Sequence, residues 1–480
     1  VSELPDGIEP APIAPAKDAA LGIVLRNRAG GGVEVLLGKR SRRSRFMPGN
    51  LAFPGGKVDP EDEPSRPGVF ERCTSREVLE EAGLAIAPAL WHAAGERTTP
   101  PIFPVRYRTL FFTATLPEGA ELPAVPPSLD EFESLEFADP GRVLTDWEAG
   151  RSLVPPPLLP ILRHLAADRS ADPAAIASAV AVINRDEDPV PRIEFVPGTW
   201  VLPVRSRTLP PASCTNVWMF GGRRFLVIDP GSDDPAEIAR LLAVVARRAS
   251  GGDAVEAVLL THHHRDHVAG AGAVAEALGV PVLAHAETLA RIPPLPGSVA
   301  TRSLAGGETL DLDGVVASVL HTPGHAPGHL ALHDAARSVL IAGDLVSGLS
   351  TILIGFSDGD MDAYLQSLRA CVALGPKTVL PSHGPPLPGA SLAATITHRE
   401  EREAKILAAL SDGAAHGSDE IAAVAYAGVD VMLPLLSQLQ TRAHLARLMR
   451  LGQVEQVTEG FRASRAWREA RASSASPESR

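Results

Sequence analysis

Residues 261–270 read Thr-His-His-His-Arg-Asp-His-Val-Ala-Gly, which places His262, His264, Asp266 and His267 in the spacing H-x-H-x-D-H. Imidazole and carboxylate are ordinary ligands of Zn²⁺, and imidazole also suits Fe. The bland alternative is a solvated histidine-rich loop. Residues 254–260, Ala-Val-Glu-Ala-Val-Leu-Leu, have the β-branched, apolar content of a short buried strand. The four side chains are therefore expected on a loop at a strand end, aimed into one pocket.

A second group lies on an expected helix over 69–81 that stops at Gly83. It contains Arg76-Glu-Val-Leu-Glu-Glu-Ala-Gly-Leu84, so Glu77, Glu80 and Glu81 stand at i, i+3 and i+4. Like charges so placed repel unless a cation binds them, and Mg²⁺ or Mn²⁺ with a pyrophosphate is the natural partner.

The elements that must position these groups divide the chain. Its 480 residues are too many for one core. The expected parts are a disordered leader (1–18), an α/β domain (19–170), a linker containing a short helix (171–192), a second α/β domain (193–397), a helical module with a hairpin (398–460), and a wing end with a disordered tail (461–480). In the second domain further histidines and aspartates stand at the ends of expected strands. Asp229 follows 224–228, His321-Thr-Pro-Gly-His325-Ala-Pro-Gly-His329 follows 315–320, Asp344 follows 338–342, and Ser382-His383-Gly follows 377–380.

Composition narrows the class. Hydrophobic content of 45% with 21% charged is that of a globular protein, and no apolar run reaches the ~18 residues of a spanning helix. The first twenty residues lack the pattern of a signal peptide. Three scattered cysteines form no disulfide framework, so a cytoplasmic location is expected. The net charge of -12 argues against a chain that grips polyanions over its whole surface.

The succession Asp229, H-x-H-x-D-H, T-P-G-H, G-D and S-H-G resembles the metallo-β-lactamase superfamily. The resemblance implies an αββα sandwich with one metal on His262, His264 and His325 and a second on Asp266, His267 and His383. Asp344 would bridge them, and Asp229 would brace the ligand loop from behind. His263, His321 and His329 have no ligand role in that pattern. Two zinc ions so held would acidify a shared water that attacks a carbonyl or phosphoryl centre, with Asp266 and Asp344 as catalytic carboxylates.

Residues 76–84 resemble the second half of the Nudix box, R-E-U-x-E-E-x-G-U. This implies an α/β/α sandwich, Mg²⁺ or Mn²⁺ on Glu77, Glu80 and Glu81, catalytic roles for Glu80 and Glu81, and hydrolysis of a nucleoside-diphosphate-type substrate. Gly55 and Glu61 satisfy the opening G-x5-E, but the spacing from Glu61 to Arg76 exceeds the pattern. A Nudix fold kept only for binding is the alternative.

After 398, three expected helices (398–410, one capped by Ser418, and 433–451) and two strands suggest a winged helix. Its eight basic and four acidic residues over 431–480 are either a nucleic-acid footprint or a solvated face. Together with the middle domain it resembles the β-lactamase-like protein 2 group, within an α/β and α+β multidomain architecture. That resemblance implies a metal-dependent RNA phosphodiesterase or endoribonuclease. A glyoxalase II-like thioesterase is the alternative, ahead of a mononuclear Fe persulfide dioxygenase on His262, His325 and Asp344 or a metal-stabilised scaffold. The expected partners are a small-molecule or RNA substrate, with no membrane.

Overall fold

The computed structural model describes residues 11–28, 31–41, 44, 47–117, 119–123, 131–167, 172–184, 192–355, 358–428 and 434–474. The start of the expected leader, part of the glycine turn at 29–32, the acidic end of the linker and the last six residues lie outside that set. Two compact units divide at Pro203 and Val204.

In the first unit the strand Ala16–Asn27 is central. It runs parallel to Arg106–Leu116 and antiparallel to Val33–Arg40 and Gly55–Lys57. Alternation puts its side chains on two faces. Ile23 and Leu25 enter a core closed by the helices Pro140–Glu148, Leu158–Ala167 and Pro173–Ile183, while Ala20 and Val24 pack on the helix Val69–Ala82. This is an α/β/α sandwich. The strand begins inside the expected leader, because Ala16 to Asp18 pair with Arg106 to Arg108. Local composition carries no signal of a partner so distant in sequence. The expected helix at 173 is present, but its Ile176, Ala177 and Val180 belong to the core rather than to a linker.

In the second unit one sheet runs, in spatial order, Thr301–Leu304, Val282–His285, Ala254–Leu259, Arg224–Ile228 and Cys214–Gly221, parallel except for the last pair. A second sheet runs Thr309–Asp311, Val316–His321, Leu330–Asp334, Val339–Gly343, Thr378–Pro381 and Leu387–Pro388. The sheets are stitched at one end, where Leu330 N donates to Thr261 O (2.8 Å) and Asn216 Nδ2 to Pro381 O (3.0 Å). The helices Met361–Ala373 and Ala390–Ala409 cover the second sheet through Tyr364, Leu365, Leu368 and Leu392.

The boundary expected at 397/398 falls inside the helix Ala390–Ala409. The β-branched residues Thr395, Ile396 and Thr397 lower its local propensity, but Leu392 and Ile396 pack on the preceding helix and override it. Two more helices, Ser418–Ala425 and Pro434–Arg450, and the hairpin of Val454–Val457 with Gly460–Ala463 follow. Gly417, not Ser418, is the N-cap residue, and its amide is satisfied by Glu420 Oε2 at 3.0 Å. The helix Arg465–Ser474 occupies part of the expected wing end and tail, started by Ser464 Oγ accepting from Trp467 N. Among the described residues no helix is long and apolar enough to cross a membrane.

Candidate metal centre

Ala254–Leu259 lies between parallel neighbours, so its C-terminal end opens onto a crevice of the kind where parallel sheets bind ligands. The loop it releases is braced by Asp229, a residue at φ 54° at the end of the adjacent strand. The Asp229 carboxylate accepts from Thr261 N (2.8 Å), Thr261 Oγ1 (2.7 Å) and Ser382 Oγ (3.1 Å), and lies 2.9 Å from His267 Nδ1. One buried carboxylate thus ties the ligand loop to both sheets.

All seven expected ligands converge. His262, His264 and His325 form one group of potential ligand atoms within 4.8 Å of one another, and Asp266, His267 and His383 form a second. Asp344 lies between them. Its Oδ2 is 3.5 Å from His325 Nε2 and 3.7 Å from His267 Nε2, and its Oδ1 is 3.6 Å from His383 Nε2. Nε2 of His267 and of His325, and Oδ1 of Asp344, are buried with no hydrogen-bond partner among the described residues. Such atoms are costly unless a ligand satisfies them. Behind the rings, Thr261 Oγ1 meets His262 Nδ1 (3.0 Å), Leu353 O accepts from His325 Nδ1 (2.9 Å) and Cys214 O from His383 Nδ1 (3.0 Å). These contacts fix ring orientation and leave Nε2 facing inward, as metal-binding histidines require.

Protonation fits the same purpose. Burial holds His262, His264 and His325 below the ordinary imidazole range. Burial works to raise Asp266, but His267 and His383 hold it at about 2. Asp344 lies well below its ordinary value against the same burial, pulled down by His383 and His267. His267 and His383 are raised despite burial, because Asp266 and Asp344 face both. A proton on those rings and a cation between them offset the same negative charge, so cation entry should expel protons.

The other histidines divide by role. His329 accepts from Asp344 N (3.0 Å) and meets Thr322 Oγ1 (2.8 Å), so it supports the loop carrying Asp344. His321 donates to Pro327 O (2.8 Å) and stacks on His285. His263 Nε2 lies 2.9 Å from Asp358 Oδ2, and the two join His264 in a further close group. No motif around Asp358 announces this in the sequence.

In the first unit, Glu77 and Glu81 turn inward on Val69–Ala82, while Glu80 is exposed and reaches Arg76 (3.0 Å). The three do not share one buried face. The residue that completes the loop is Asp62 rather than Glu61. Asp62 is 2% exposed and takes two 2.9 Å hydrogen bonds from Arg76, whereas Glu61 faces solvent. Gly56, not Gly55, makes the close approach to Glu77, since a Cβ there would stand 2.4 Å from Glu77 Oε1. Gly55 instead donates its amide to Glu81 Oε2 (2.7 Å).

Burial raises Glu77 to about 7, and burial with Glu131 raises Glu81 to about 10. A carboxyl raised above its unfolded value is stabilising while protonated, and that contribution fades as pH rises through its folded pKa. Without divalent cation this unit should therefore lose stability from pH 6 to 9, and Mg²⁺ should restore it while releasing protons. Calorimetric Mg²⁺ titrations in two buffers of different ionisation enthalpy measure that release. Equal heats in both, with unchanged affinity between pH 6 and 8, would remove these glutamates from the cation site.

A model of the metallo-beta-lactamase superfamily matches residues 209–383, and a model of the NUDIX domain matches 16–155. The chain is 30% identical over 209 residues to the beta-lactamase-like protein 2 homolog of Drosophila melanogaster, covering 40% of this chain and 67% of that protein. It is 37% identical over 149 residues to a hydroxyacylglutathione hydrolase of Acidiphilium cryptum, covering 31% of this chain and only 56% of that one. A beta-lactamase domain protein from Burkholderia ambifaria shares the fold, with TM-score 0.50 and 21% identity over 58% of this chain and 94% of that one.

Proposed function

Because the chain belongs to the metallo-β-lactamase superfamily and carries a NUDIX domain ahead of that fold, we propose that its second unit is a dinuclear metal-dependent hydrolase of RNA phosphodiesters. The observation that carries the hydrolase reading is the convergence of seven ligand side chains with Asp344 between two groups. A mononuclear Fe site on His262, His325 and Asp344 would leave Asp266 and His383 without a purpose. Two divalent cations in this donor set, zinc foremost, would supply Lewis acidity and acidify a water. Asp266 and Asp344, both ionised, would orient that water and offset the cations' charge. His262, His264 and His325 stay neutral, as ligands must, and Asp229 keeps the loop in register.

Two observations bear on the substrate. Tyr364 is fully buried with its hydroxyl donated to Leu345 O (2.6 Å), so it is not available to grip a glutathione moiety. Against that, Arg447 and Arg450 pair with Asp362, and Arg462 with Glu455, which lowers the charge left for RNA. The names of relatives such as the Acidiphilium cryptum hydrolase favour a thioester as the second reading. Zinc-loaded protein is expected to cut a labelled single-stranded RNA and to leave S-lactoylglutathione intact, both followed with and without chelator. The opposite pattern assigns the thioesterase. For the first unit, Glu77, Glu81 and the Asp62–Arg76 brace support a Mg²⁺- or Mn²⁺-dependent diphosphohydrolase, tested on a panel of nucleoside diphosphate derivatives.

A further inference from the structure

Three consecutive residues beside the metal centre face three different ways. Ile352 O accepts from Arg399, Leu353 O accepts from His325 Nδ1 (2.9 Å), and Ile354 N donates to Gln440 Oε1 (3.0 Å). Gln440 lies on the helix Pro434–Arg450, buried, and its Nε2 has no hydrogen-bond partner among the described residues. The next residue, Gly355, lies so close to this helix that a Cβ on it would stand 2.6 Å from Leu439 O. Farther along, Arg450 grips Asp360 (3.0 Å) and Asp362 (2.6 Å), just past the Asp358 that meets His263. Beside the expected Leu445 and Leu448, this helix buries Ser437, Gln440, Thr441 and His444, while Leu435 is exposed. Two of these polar side chains reach partners outside the helix: Gln440 accepts from Ile354 N, and His444 Nδ1 lies 3.1 Å from Glu403 Oε1.

We propose that the helix Pro434–Arg450 is a positioning element of the metal centre: through Gln440 it fixes segment 352–355, and with it the carbonyl that orients His325. One face of the helix that precedes the hairpin is thus turned inward on the hydrolase fold. Fixing the acceptor of a histidine ligand sets which ring nitrogen carries the proton and where the other points. The proposal rests on the dinuclear reading above, and its test reads metal affinity rather than turnover.

Full-length Gln440→Met keeps the side-chain length and removes the acceptor. Gln440→Glu keeps the acceptor and exchanges the unpartnered amino group for a second carboxyl oxygen. Zn²⁺ affinity, measured by competition with a chromophoric chelator, is expected to fall about 10–100-fold for one of two ions in Gln440→Met and to stay near wild type in Gln440→Glu. Unchanged affinity for both ions in a folded Gln440→Met overturns the proposal, as does an equal loss in the two variants. If Gln440→Met fails to fold, Arg450→Gln carries the test from an exposed position, with one weakened ion again expected and two unchanged ions overturning it. A wild-type protein that binds fewer than two ions overturns the dinuclear reading itself, a result distinct from any difference between variants.

Discussion

Replacing Asp344 by alanine is expected to lower hydrolysis by the second unit roughly 10³-fold or more, beyond the 10–100-fold typical of partners that only orient a ligand. The expectation follows from its place. Its two oxygens face His325, His267 and His383, which belong to both ligand groups. Without it His267 and His383 lose a carboxylate that holds them up, and cations held by the two groups would lose the carboxylate that lies between them. Asp344→Asn should keep the shape and still fail, because an amide carries no charge. Turnover and metal content measured together decide the matter, and an alanine variant that retains both two ions and activity removes Asp344 from the mechanism. Asp229→Asn should be milder, since Asp229 acts only through Thr261, Ser382 and His267.

In the first unit the largest effect expected is on stability. Arg76→Met leaves Asp62, 2% exposed, without the guanidinium that holds it ionised. Breaking a buried pair from one side costs about 3–5 kcal/mol, and the partial exposure of Arg76 points to the lower end. Burial opposes ionisation of Asp62, while Arg76 and the Asp59 amide reverse it and bring its pKa below the ordinary value. The contribution is therefore present above the unfolded carboxyl pKa and lost as pH falls through the folded one. The variant's deficit should shrink toward acid pH, where protonation spares the buried charge. Denaturant-dependent hydrogen exchange on peptides from Ala16–Asn27 and Arg106–Leu116 reads this unit separately. A deficit independent of pH would assign the loss to packing, and no deficit would mean that Asp62 relaxes into solvent.

The metal centre was legible because its ligands sit at strand ends, where apolar runs and turn residues mark the places, and because four of the seven are local in sequence. Asp62 was not legible. Two adjacent glycines permit two registers, and Glu61 satisfied the more familiar one; the burial of Asp62 against Arg76 and the collision that a Cβ on Gly56 would have with Glu77 separate them. Asp358 and Gln440 carry no local mark at all, since their meaning lies in partners distant in sequence, His263 and Ile354. The helix Arg465–Ser474 was hidden by a serine-rich neighbourhood that reads as a tail, although Ser464 is its cap. Periodicity reports which face of an element is apolar. It does not report which polar residue will find a buried partner.

The stitching of the two sheets has a consequence for the life of the protein. His262, His264, Asp266 and His267 hang from the first sheet, and His325, Asp344 and His383 from the second. A cation held by both sets acts as a rivet through the sandwich, and whatever binds only the folded chain stabilises it by an amount that grows with the logarithm of free ligand. Ion supply would then govern how long the folded chain survives proteolysis as well as how fast it turns over substrate.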